Sequence, residues 1–188
     1  QVISQKTGIA RFALYFAYNI EHKDAVELSL DEFPDAENWY ISEYDEVSRA
    51  LLCWITNDEI AALKNPRMTV RYRDDNGRVH NQKVSFSSIF SAEERYRNVR
   101  IPRPVIHVSE QQQKELFIDE CVEIVLNNPI ESFTDSLISL YKVNDSLQKS
   151  CITRIVRDEK SVRTLLVYHS AELHESYALE IGKNAIRD

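Results

Sequence analysis

The feature that most constrains the fold is a hairpin signal in MTVRYRDDNGRVHNQKVSF, residues 68–86. The dipeptide Asn76-Gly77 lies between two stretches in which apolar and polar side chains alternate, the strongest short-range signature of a β-hairpin. Asparagine and glycine tolerate the left-handed backbone that tight turns need. We therefore expect an antiparallel hairpin with one face in a core and the other in solvent.

Two registers of this hairpin compete. A two-residue Asn-Gly loop would pair Tyr72 with Asn81 and would set apolar side chains opposite polar ones on each face. A three-residue loop, 75–77, with Gly77 in the left-handed conformation, would pair Tyr72 with His80 instead. That register also makes two further pairs, Val70 with Gln82 and Met68 with Val84. Because burial of one face specifies register, we favour the three-residue loop, which separates the two faces better.

The favoured register gathers Arg71, Arg73 and Lys83 on one solvent face. In one interpretation this face is merely solvated, and its cations protect a strand edge from aggregation. In another it binds an acidic protein partner, since arginine favours carboxylate and phosphate recognition. The surface would then extend through four further arginines, Arg95, Arg97, Arg100 and Arg103. Nucleic-acid binding is the third interpretation, with Tyr72 and Tyr96 available to stack on bases.

Positive charge is concentrated around this hairpin, although the formal net charge of the 188-residue chain is −7. Residues 67–103 carry nine basic and four acidic side chains, a net charge of +5, whereas 1–66 carry −7 and 104–188 carry −5. If the fold keeps the middle segment on one side, the protein has a polarised field. The overall acidity argues against general nucleic-acid binding, for which a basic domain is typical.

The remaining pattern predicts an α+β fold, with mainly antiparallel sheets and hairpins packed against several short helices. Strands are predicted at 10–20, at 50–55, at 105–108 and on both sides of the turn 158–161. Helices are predicted over 56–65, where Thr56 or Asn57 can cap the first turn, over 87–98, and from Ser109. CVEIVL, residues 121–126, is ambiguous between helix and strand.

A further helix is predicted from Asn128, because an Asn cap followed by Pro129 at the first position and an acid in the first turn is a typical helix start. Five apolar residues then recur at helical spacing: Ile130, Phe133, Leu137, Leu140 and Tyr141. We expect two small subdomains, an N-terminal α/β subdomain at 1–104 with the Arg-rich hairpin and a C-terminal helix-hairpin subdomain at 105–188.

No established catalytic signature occurs in the sequence: GxGxxG, the P-loop motif, HExxH and GxSxG are all absent. The segment HSAELHE is the best metal-like cluster, but His169 and His174 are five residues apart and would not share a helical face. The three cysteines, Cys53, Cys121 and Cys151, are far apart in apolar settings, which indicates buried free thiols in a cytoplasmic protein. No catalytic residue, metal ligand or cofactor is assigned.

The segment SFTDSLISLYKVNDSLQKSCITRIVRDEKSVRTLLVYHSAELHESYALEIGKNA resembles the C-terminal module of the enhanced serine sensitivity (SseB) family. The shared pattern is a helix containing DSLISLYK, a strand like KSCITRIV, a polar turn and a strand like RTLLVYHS, over roughly residues 125–185. ALLCWITNDEIAALKN is similar to a strand and the segment that follows it in that family's N-terminal half. The resemblance implies a cytosolic bacterial α/β protein without established catalytic residues, and it favours a binding role.

We therefore expect a non-enzymatic interaction domain that binds an acidic protein or associates with itself, without a membrane-spanning segment. The expected binding residues lie in the basic segment: Arg71, Arg73, Lys83, Arg95, Arg97 and Arg100. The acidic run SLDEFPDAENWYISEYDE, residues 29–46, is expected to be a solvated face that could also bind the basic hairpin of a second copy. A nucleic-acid-binding accessory protein and a metal-dependent hydrolase are the alternatives.

Overall fold

The computed structural model describes residues 1–8, 10–86, 106–109, 120–143, 149–172 and 174–188. The chain divides into two compact units, Gln1–Ile101 and Pro102–Asp188. Within the described residues, 51% are in strands and 6% are helical. Strands therefore dominate both units.

The described residues of the first unit form two antiparallel sheets. The strand order is β1-β2-β5-β4 in the larger sheet and β3-β6-β7 in the smaller one. The strands are β1 Val2–Gly8, β2 Arg11–Phe16, β3 Glu27–Leu30, β4 Tyr40–Asp45, β5 Ala50–Ile55, β6 Arg67–Arg73 and β7 Val79–Ser85. A 3₁₀ turn at Lys23–Ala25 precedes β3, and the helix α1, Asp58–Ala61, follows β5.

The two sheets of the first unit share one apolar core. Phe12, Leu14 and Phe16 from β2 belong to the same buried cluster as Met68 and Tyr72 from β6. The Phe16 and Tyr72 rings meet edge to face at 4.8 Å between centroids. Burying a side chain of this size contributes roughly 1.5–3 kcal/mol, so the facing sheets stabilise each other.

The second unit is also antiparallel. It contains β8 Ile106–His107, β9 Val122–Leu126, β10 Ser132–Phe133, β11 Ile138–Lys142, β12 Ile152–Arg157, β13 Thr164–His169, β14 Tyr177–Ile181 and β15 Ile186–Arg187. The order β12-β13-β9-β8 forms a four-stranded sheet, and β11-β14 and β10-β15 form two-stranded ladders. Its core contains Ile124, Leu126, Ile138, Leu165 and Val167.

The prediction of an α+β fold with several short helices is wrong, because the described residues are mostly β and contain one short α-helix. The helix predicted from Asn128 is replaced by β10, a 3₁₀ turn at Asp135–Leu137 and β11. Leu137, assigned to the apolar helix face, is 42% exposed, whereas Ile138 and Leu140 are buried. Burial with a period of two, together with pairing of β11 to β14, overrides the local helical spacing.

Other local predictions are confirmed. β5 occupies 50–55, and β12 and β13 flank the predicted turn. The helix α1 starts at the predicted cap, where Asn57 Oδ1 accepts the backbone N–H groups of Glu59 and Ile60, but it ends at Ala61 and not at residue 65. The ambiguous CVEIVL contains strand β9. The helix predicted over 87–98, and most of the one predicted from Ser109, lie outside the described residues.

The left-handed glycine of the hairpin turn gives a direct stability test. Gly77 has φ +75°, and a Cβ added there would meet no atom within 4 Å. The cost of a substitution is therefore limited to the strain of holding a non-glycine residue at positive φ. Gly77→Ala is expected to lower the free energy of unfolding by about 1–2 kcal/mol. Gly77→Asn is expected to lose less, because asparagine tolerates this conformation. Urea denaturation followed by tryptophan fluorescence checks this, since Trp39 and Trp54 are both in the first unit. Equal losses for the two variants would contradict it.

Candidate functional site: a charged sheet face

The β6–β7 hairpin adopts the predicted three-residue register. Tyr72 pairs with His80, Val70 with Gln82 and Met68 with Val84. On β6 the burial alternates strictly, with Met68, Val70 and Tyr72 buried and Arg67, Arg71 and Arg73 exposed. The register therefore fixes which side chains of the hairpin reach solvent.

We call the solvent side of the β3-β6-β7 sheet the charged face. Arg71, Arg73 and Lys83 lie on it, with exposed side-chain fractions of 60%, 53% and 79%. The structure thus brings together the three predicted binding residues that it describes. The other predicted residues, Arg95, Arg97, Arg100 and Arg103, lie outside the described residues, as does Tyr96.

Each cation on the charged face is paired with an acid of the same unit. Arg71 Nη1 lies 3.2 Å from Glu27 Oε2, and Arg73 Nε lies 3.5 Å from Glu21 Oε2. Lys83 Nζ lies 3.7 Å from Asp31 Oδ2. We call Arg67, Arg71, Arg73 and Lys83 the basic row, and Glu21, Glu27, Asp31 and Glu32 the acidic row. The face is therefore a patterned surface of both signs.

Backbone pairing sets the acids opposite the bases. Glu27 is the Cα partner of Arg71 in the β3–β6 ladder. Beyond the two ends of that ladder, Glu21 N–H donates to the Arg73 carbonyl at 3.0 Å, and Asp31 N–H donates to the Arg67 carbonyl at 2.9 Å. Sequence reasoning placed Asp31 in an acidic run that could bind the hairpin of a second copy, but it missed Glu21 and Glu27. It also missed the pairing within one chain, which joins residues 36 to 52 positions apart and has no local signal.

The turn that holds the hairpin is organised by Asp74, a residue that sequence reasoning did not single out. Its Oδ1 accepts the backbone N–H groups of Asn76 at 3.0 Å and Arg78 at 2.9 Å. Its Oδ2 lies 2.7 Å from His80 Nε2. The tendency of aspartate to bond the backbone two residues ahead was the available signal. Asp74 is 3% exposed, so its bonds are made largely out of solvent.

The polar residues on the inner side of β7 are also accounted for. The His80 ring stacks on Tyr72 at 4.7 Å between centroids. Gln82 exchanges two hydrogen bonds with the backbone of Val2 in β1, at 3.0 and 3.1 Å. Tyr72 is 2% exposed, so it cannot serve as the stacking platform considered for nucleic-acid bases.

In the metal-like segment HSAELHE of the second unit, the carboxylates form ion pairs with a lysine. Lys142 Nζ lies 2.5 Å from Glu175 Oε1 and 3.8 Å from Glu172 Oε2, so the two carboxylates share one positive charge. His169 Nδ1 accepts the backbone N–H of Ala171 at 3.2 Å. In the described part of the chain, no three His, Cys, Asp or Glu residues form a group that could hold a metal ion.

The cysteines are free, as predicted, but only Cys53 is fully buried, while Cys121 and Cys151 are half-buried. Burial raises the pKa of all three thiols, which disfavours the thiolate. Among the described residues, no helix is long and apolar enough to cross a membrane.

Comparisons with protein-family models, with curated proteins and with solved structures found no match to the chain. The resemblance to the SseB family stays a prediction. The charged face must therefore be interpreted from its own chemistry.

The Asp74 network predicts how stability depends on pH. Hydrogen bonds from His80 and from the Arg78 and Asn76 backbone hold the pKa of Asp74 below its ordinary value of 3.8. The ionised carboxylate therefore stabilises the fold above pH 3.8, and this contribution is lost as the pH falls through the lower folded pKa. Asp74→Asn is expected to lower the melting temperature at pH 7, and its deficit relative to wild type should shrink below pH 3.8.

Asp75→Asn is the matched control, because Asp75 is the exposed neighbour in the same turn. Thermal unfolding by circular dichroism between pH 2.5 and 7 measures both variants. A deficit for Asp74→Asn that stays constant across this range would show that the carboxylate charge plays no part.

Proposed function

We propose that this protein is a non-enzymatic interaction module that binds a carboxylate-bearing protein partner through Arg71, Arg73 and Lys83 of the charged face. The observation that carries the proposal is the β6–β7 register, which sets these three cations on the exposed side of a sheet whose other side is core. Paired strands hold these side chains at fixed spacing, so less conformational entropy is lost when a partner binds.

The ion pairs already present on the face are compatible with partner binding. Exposed pairs of this kind contribute only about 0–1 kcal/mol, so a partner's carboxylate can share or replace the internal acid. Arg71 and Arg73 each use one nitrogen in their ion pairs with Glu27 and Glu21, whereas a guanidinium carries five N–H donors. A second carboxylate can therefore bind the same arginine.

The acidic row favours a protein partner over nucleic acid. Glu21, Glu27 and Asp31 lie beside the basic row and repel a continuous phosphate backbone, as does the formal charge of −7. A protein can instead present carboxylates only where the cations lie. We place the protein in the cytoplasm, because its three free cysteines suit a reducing compartment.

A short acidic peptide that can adopt an extended conformation provides the test. Arg71 and Arg73 are two residues apart on β6, about 6.6–6.8 Å, which is also the spacing of alternate side chains in any extended peptide. A fluorescent peptide of alternating glutamate and threonine is expected to bind wild type at low salt. Arg71→Gln/Arg73→Gln/Lys83→Gln is expected to weaken this at least about tenfold, since three cations at roughly 0.5–1 kcal/mol each are lost. Fluorescence anisotropy measures both.

The matched control, Lys160→Gln/Lys183→Gln/Arg187→Gln, removes the same charge from exposed positions of the second unit. It should bind the peptide nearly as wild type does, and a peptide with glutamine in place of glutamate should not bind. Equal binding by the two triple variants would refute the proposal. Tighter binding of a single-stranded oligonucleotide than of the peptide would favour the nucleic-acid alternative.

A further inference from the structure

The charged face carries three columns in which an acid stands beside a base. Along the sheet these are Glu21 with Arg73, Glu27 with Arg71, and Asp31 with Arg67. Each column is fixed by backbone pairing between the acidic edge and β6. The acids therefore form one line along the strand direction, and the arginines form a parallel line beside it.

Two parallel lines of opposite charge are complementary to themselves. Consider a two-fold axis that is parallel to the strands, lies in the plane of contact between two copies and passes between β3 and β6. Rotation about this axis turns the face over and leaves every residue at the same height along the strand direction. Glu27 of one copy then lies over Arg71 of the second copy, and Arg71 over Glu27, as an isologous contact requires. An axis perpendicular to the strands in the same plane would instead set acids on acids.

We infer that the partner of the charged face is a second copy of this chain, related by a two-fold axis parallel to β6, an inference that rests on the proposed function. Charge complementarity favours a second copy over a uniformly acidic partner, because such a partner would be repelled by the acidic row while it is attracted by the basic row. A second copy sets the three acids of the columns on arginines and the three arginines on acids, because each column of one copy lies on the same column of the other.

Mixing two charge-reversed variants tests this directly. Arg71→Glu puts two acids in the central column, and Glu27→Arg puts two bases there. Each variant alone sets like charges against each other across the two-fold axis, so its dimerisation is expected to weaken at least about tenfold. An equimolar mixture sets the acidic column on the basic one, and dimerisation should return towards wild type, although the ion pair within each chain stays broken.

Sedimentation velocity at low salt across a concentration series measures these associations. Glu37→Arg mixed with Lys183→Glu is the control, because both positions are exposed and lie off the charged face. This mixture should associate no more strongly than either variant does alone, and both variants are compared with wild type. Glu21→Arg mixed with Arg73→Glu is a second pair that should repeat the rescue in a neighbouring column.

A wild-type chain that stays monomeric at every concentration would overturn the second-copy inference, as would a mixture that dimerises no better than the separate variants. The proposed function fails by a different result, since it requires the acidic peptide to lose affinity for the glutamine triple variant. Peptide binding without dimerisation would therefore leave the interaction module in place and exclude only the second copy as its partner.

Discussion

The register of β6 against β7 is the constraint on which both the core and the charged face of the first unit depend. Side chains alternate along a strand, so a shift of one residue would carry Val70 and Tyr72 into solvent and Arg71 into the core. The buried apolar side chains alone are worth roughly 1.5–3 kcal/mol each, and a buried unpaired arginine would add a larger penalty. The same alternation that fills the core therefore spaces the cations outside.

The turn and the strands specify this register independently. Gly77 supplies the left-handed residue of the three-residue loop, and Asp74 ties the loop to both Arg78 and His80. The polar residues that the register turns inward are paired, Gln82 with the β1 backbone and His80 with Asp74. Local turn chemistry, burial and polar pairing thus agree, which is what makes one arrangement much lower in free energy than its competitors.

This agreement explains why the hairpin could be predicted from sequence and the segment after Asn128 could not. Its signals lie within about 20 residues, so a local interpretation contains them all. The segment after Asn128 has an equally good local pattern for a helix, but the pairing of Ile138 with Ile181 decides its structure. The pairing of the acidic row with the basic row could not be predicted for the same reason, since Glu27 reaches Arg71 only through the β3–β6 ladder. Local patterns predicted the cations of the charged face, and long-range pairing supplied their partners.

The arrangement of charge also bears on whether the net charge permits the proposed association of two copies. Two copies with a formal charge of −7 repel each other at long range, but near 0.15 M ionic strength the Debye length is only about 8 Å. At contact in the proposed dimer, the columns of Glu27 with Arg71 and Glu21 with Arg73 would decide the sign of the interaction. Such pairs contribute little to folding while exposed, so their ordered spacing matters more for choosing a partner and its orientation than for holding the unit together. Net repulsion with local attraction would make association depend on correct alignment of the two faces.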